Sequence, residues 1–81
     1  MDIKTAISWF LDRNWDYSFD ERSVQWFASP DGKVFVTPPC GETGWLVEFY
    51  DRHYSDDEAN VLETHEFQMT YEVVRFIDNN V

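Results

Sequence analysis

"GWLVEFYD", residues 44–51, decides how the rest of the chain is read. Trp45, Val47 and Phe49 alternate with Leu46, Glu48 and Tyr50. That period of two marks a strand with one face on a core and one face mixed. Upstream, "PPCGETG" (38–44) interrupts any ladder, because Pro38 and Pro39 have no N–H to give. Before it, "KVFVT" (33–37) and "SVQWFAS" (23–29) are rich in strand formers. They are joined by "SPDGK" (29–33), a hairpin turn with Pro30 at its second position and Gly32 able to take φ > 0. "WDYSFD" (15–20) alternates Trp15, Tyr17 and Phe19 with Asp16, Ser18 and Asp20, one face aromatic and the other mostly acidic. The middle of the chain is therefore an antiparallel meander of about four strands with short connections.

Helices are expected to flank it. Ile3, Ala6, Ile7, Phe10 and Leu11 keep the spacing of an amphipathic helix, with Asp2 as N-cap and Asn14 near its end. Trp9 lies off that stripe. Ser55 followed by Asp56, Asp57 and Glu58 has the form of a helix start, with acids where the dipole favours them, and predicts a short helix from about Asp56 to Glu63. "THEFQM" (64–69) fits linker, strand or helical continuation equally. "TYEVVRFIDNNV" (70–81) predicts a last helix capped by Thr70, with Tyr71, Val74 and Ile77 on one side and Val73 and Phe76 beside them. The expected class is α+β, one domain over residues 1–81, with one or two C-terminal helices covering one sheet face beside the N-terminal helix.

Four Trp, four Tyr and seven Phe in 81 residues supply a core without disulfides or metal, and rule out an acidic disordered tail. Chemistry is poorly represented. Cys40 is the one candidate nucleophile, with His53 or His65 as a possible base, but no family signature surrounds it. One Cys and two His without CxxC, HxxxH or HExxH spacing do not suggest zinc. "DRHYSDDEANVL" (51–62) has an acidic start of calcium-loop length, yet Asp56 and Leu62 stand where an EF-hand needs Gly and Glu. Phosphate loops and nucleophile elbows are absent. Neither enzyme activity nor a cofactor is expected. The lone Cys40 and an N-terminus without a basic, apolar leader point to the cytoplasm, and no apolar run reaches membrane length.

The outstanding property is charge. Sixteen Asp and Glu oppose six Lys and Arg, a formal net charge of −10. Solubility asks for a magnitude of roughly 2–8 in a small domain. Such a surface repels nucleic acid and anionic lipid. Asp56, Asp57, Glu58, Glu63 and Glu66 form one dense group, in a segment with no Lys or Arg. Asp12, Asp16, Asp20 and Glu21 form a second, which includes alternate positions of the first strand. An acidic run ordinarily serves as a solvated face, and a halophile's acid coat reaches similar charge. The magnitude and the grouping instead favour a face for a basic partner, with carboxylates standing in for a duplex that carries one charge per ~1.7 Å.

In "MDIKTAISWFLDRNWDYSFD" (1–20) and "YSDDEANVLETHEF" (54–67), and in length, acidity and aromatic content, the chain resembles small phage-encoded anti-CRISPR proteins of the DNA-mimic type. The resemblance implies a cytoplasmic inhibitor that binds a CRISPR effector subunit and blocks its engagement of target DNA. A like-charged acidic face favours a monomer over a homodimer, while an uncovered aromatic sheet face or strand edge could still pair. An immunity protein against a basic nuclease shares the same electrostatics. An adaptor that binds through exposed aromatics such as Trp9, Trp26 or Tyr54 is the apolar alternative.

Overall fold

In the computed structural model, which describes residues 1–81, "GWLVEFYD" yields β4, Trp45–Tyr50, and β4 has a neighbour on each side. The chain runs α1 (Ile3–Asp12), β1 (Asp16–Phe19), β2 (Val24–Ala28), β3 (Val34–Thr37), β4, β5 (Val61–Phe67) and α2 (Thr70–Asn80). The five strands lie in sequence order, every pair antiparallel, an α+β meander one strand larger than expected.

Local signals set most boundaries. The Asp2 carboxylate accepts from the Thr5 N–H at 2.9 Å and its hydroxyl at 2.8 Å, which caps α1. Beyond the helix, Asn14 takes φ 62°, the left-handed conformation that Asn tolerates, and turns the chain into β1. In the β2–β3 turn the Gly32 N–H donates to the Ser29 carbonyl at 2.8 Å, and Gly32 has φ 73°. A side chain there would strike the His53 ring as well as strain the backbone.

One face of the sheet carries both helices. Register places Tyr17, Phe27, Val36, Val47 and His65 in a single row on that face. Twelve buried side chains form one cluster, with Phe10 stacked on Phe27 at 4.3 Å and Trp45 only 1% exposed. A buried ring of this size removes roughly 150–250 Å² from water. A bulge opposite Ser18 and Phe19 brings Val24 back onto the core face after Trp26 has pointed outward.

Three expectations are corrected. The segment 56–63 contains no helix: residues 51–60 are a loop and Val61 begins β5. The Ser55 hydroxyl is 2.7 Å from His53 Nδ1, so the would-be cap is spent inside the loop. The Asp51 carboxylate accepts from the Asn60 N–H at 2.9 Å, and the Asp51 N–H donates to the Asn60 carbonyl at 3.0 Å, which aligns 61–67 with β4. "THEFQM" accordingly begins as strand. In the last helix Met69, not Thr70, holds the N-cap position, and Glu72 reaches back to accept from its N–H at 3.0 Å. Tyr71 is half exposed, and Val73, Val74 and Ile77 make the buried stripe. On β1 only the flanking Trp15 is buried; Tyr17 and Phe19 are 40% and 54% exposed, because α1 does not reach over them.

Candidate binding face

The helix-free face of the sheet is the surface on which acidic and aromatic side chains meet. One row across it reads Asp16, Ala28, Phe35, Glu48 and Thr64. Leu46 pairs with Glu66 in the next row, so Glu48 and Glu66 are diagonal neighbours about 7–8 Å apart. Asp16 lies three strands from Glu48, about 14 Å at the usual strand spacing. The loop 51–60 folds back over part of this face. The Tyr54 N–H donates to the Gly32 carbonyl at 2.9 Å, and its ring packs on Phe35 and Trp26 at 5.0 and 5.5 Å. His53 stacks on Tyr54 at 4.6 Å. Burial of Tyr50, aided by the charge of Glu48, pushes its hydroxyl pKa above the ordinary value.

The acids singled out from sequence do not form one patch. Asp16 and Glu66 share the helix-free face. Glu63 is on the helix side of β5, 3.8 Å from His65. Asp56, Asp57 and Glu58 occupy the β4–β5 loop, at the end of the sheet that holds Gly32. Asp20 and Glu21 are in the β1–β2 turn at the opposite end, because adjacent strands reverse direction. The helix expected from about Asp56 to Glu63, whose continuation would have lined up Asp56, Glu63 and Glu66, is absent, so that face does not exist. Glu48 belongs to the site and was not in the predicted set; its place opposite Trp45 and Val47 in the alternation of β4 was the signal.

Several carboxylates also have a local task. Asp20 accepts from the N–H groups of Arg22 and Ser23 at 2.8 and 2.9 Å, which closes its turn. Asp56 accepts from the Glu58 N–H at 2.8 Å, and Asp16 from the Tyr17 N–H at 2.9 Å. Backbone N–H donors hold Asp2, Asp20, Asp31 and Asp51 below the ordinary carboxylate value. Opposite charge is scarce. Arg52 pairs with Asp51 and Glu58 at 3.7 and 3.2 Å, and His65 with Glu63; the other thirteen of the sixteen acids have no ion pair.

Cys40 is exposed at the rim of a shallow depression of about 280 Å³, lined with Asp20, Ser23, Pro38 and Pro39 but no histidine. His53 is at the other end of the sheet and His65 is mid-strand in β5. No three His, Cys, Asp or Glu side chains converge as metal ligands, and Asp51 of the calcium-loop segment is occupied by Asn60. Of the aromatics named as possible anchors, Trp26 and Tyr54 are half-buried against each other, and Trp9 sits under the Arg13 guanidinium, 3.9 Å from the ring centre. No helix is long and apolar enough to cross a membrane. No protein-family model, curated protein or solved structure gives a significant match to this chain.

Proposed function

We propose that this chain is a non-enzymatic inhibitor that acts in the cytoplasm as a monomer. Its target is a basic, nucleic-acid-binding protein surface, which the resemblance noted above puts on a CRISPR effector. One observation carries this reading: thirteen of sixteen carboxylates stand without an ion pair in a chain of net charge −10. Self-repulsion of that size costs stability, and a basic partner removes the cost on binding. Asp16, Glu48 and Glu66 are the best placed of these acids. They project from strands, which hold position more firmly than the loop acids 56–58, and they surround aromatic surface on which Lys and Arg stems pack.

The test is competition with target DNA for a purified effector, at low and high salt. The unmodified chain is expected to displace DNA at low salt and to lose potency steeply as salt rises. The triple variant Asp16→Lys, Glu48→Lys, Glu66→Lys should lose at least about tenfold in potency, as close charge pairs across an interface become repulsive. Reversal of Asp57 and Glu58 should cost less. Displacement that ignores salt and the triple reversal would overturn the electrostatic reading in favour of apolar contact through the Trp26, Phe35 and Tyr54 cluster.

A further inference from the structure

β5 ends the sheet, and its outer side has no neighbour. The direction of its free groups follows from the ladder. The Tyr50 N–H donates to the Lys33 carbonyl, so even-numbered residues of β4 bond β3 and odd-numbered ones bond β5. Residues 63, 65 and 67 therefore complete the β4–β5 ladder. The N–H and C=O groups of Thr64 and Glu66 point out of the sheet edge, and no side chain accepts from either N–H. Most of the usual means of closing an edge are missing: β5 is seven residues long, the longest strand, and has no Pro, no Lys and no covering element. Its only protection is the carboxylates of Glu63 and Glu66 and the bulge near Leu62 at its start.

The side chains say what this edge admits. Glu63 and Glu66 flank the outward groups, one on each face, and neither has a Lys or Arg partner. A second copy would oppose them with its own carboxylates on a chain that is also at −10. A cationic strand would be attracted by both. We propose that β5 is a strand-addition site for an extended cationic segment of the partner, which rests on the basic-partner reading above. The segment exchanges backbone hydrogen bonds with Thr64 and Glu66, as peptides do at open sheet edges. Because Glu63 and Glu66 are three residues apart on opposite faces, the segment carries Lys or Arg at two positions separated by two residues.

The experiment uses the full chain and the synthetic peptide TKVTKVT, with amide exchange followed residue by residue by NMR. Binding should slow exchange of the Thr64 and Glu66 amides by about tenfold or more while leaving the β1 edge unchanged. Thr64→Pro removes one outward donor without touching the bonds to β4 and should abolish binding. Glu63→Lys with Glu66→Lys should weaken it by about tenfold. If Thr64→Pro unfolds, as seen by circular dichroism, the double Lys variant and the exchange pattern carry the test. The site is overturned if the peptide does not bind, if it binds without slowing Thr64 and Glu66, or if KKTVTVT binds equally well. Protection of these amides by concentration-dependent dimerisation without peptide would overturn the proposed occupant. Salt-sensitive displacement of DNA that survives Thr64→Pro would remove the edge and leave the basic-partner reading standing. Peptide protection without any engagement of an effector would do the reverse.

Discussion

The two edges of the sheet are built oppositely. β1 is four residues long, bulged against its partner, and its outward Tyr17 N–H is taken by the Asp16 carboxylate. β5 is seven residues long, with outward groups at Thr64 and Glu66 that nothing in the chain satisfies. Both edges are acidic, yet at β1 a carboxylate takes the Tyr17 donor of the edge, while at β5 no carboxylate reaches an outward donor. Charge at an edge thus has different consequences according to whether a backbone donor is within its reach.

The contrast extends into the core. Behind β1 and β2, Phe10 is fully buried and touches Trp15 and Phe27; behind β5, Phe67, Phe76 and His65 form a half-buried layer. Phe10→Ala should therefore cost about 3–5 kcal/mol and Phe76→Ala roughly half as much, as read by urea unfolding. Equal losses would mean that the two sides are anchored alike. Gly32→Ala comes next, at about 2 kcal/mol, because it strains a positive φ and displaces His53, and with it Tyr54 from Trp26 and Phe35. Tyr fluorescence should report that loss even if the fold survives.

Acid should act on both ends of the sheet. Asp20 in the β1–β2 turn and Asp51 in the β4–β5 loop have folded pKa values below the ordinary 3.8, as do Asp2 and Asp31. The unfolded chain takes up these protons first. Their stabilisation is thus present above about pH 4 and lost as pH falls through the lower folded values. Urea midpoints measured downward from neutral pH should fall mainly in that window, and Asp20→Asn should flatten part of the fall. The smallest effect belongs to Asp16→Ala. It should leave stability almost unchanged while the Tyr17 amide exchanges several-fold faster, opening β1 as β5 is already open. Unchanged Tyr17 exchange would show that the carboxylate does not close that edge.

The sequence by itself determined α1 with its Asp2 cap, the Asn14 exit, the hairpin turn at Gly32, four strands and the last helix. Each rests on a local cause: a side-chain cap, a φ requirement or an apolar period within a few residues. It also determined the net charge and the alternation that puts Glu48 on the helix-free face. Tertiary structure alone decided β5. "VLETHEF" pairs through backbone bonds to β4, roughly eleven to twenty-two positions away, while the segment just before it, Ser55 and three acids, fits a helix start. His53 took the Ser55 hydroxyl, Asp51 clamped Asn60, and Tyr54 found Trp26 and Phe35. The first two are loop contacts within ten residues whose side-chain partners no apolar period announces, and the last joins residues roughly twenty to thirty positions apart, which no local window contains. The same fact dispersed the predicted acid face: a helix would have stacked Asp56, Glu63 and Glu66, but a strand's period of two puts Glu63 and Glu66 on opposite faces and leaves Asp56 in the loop.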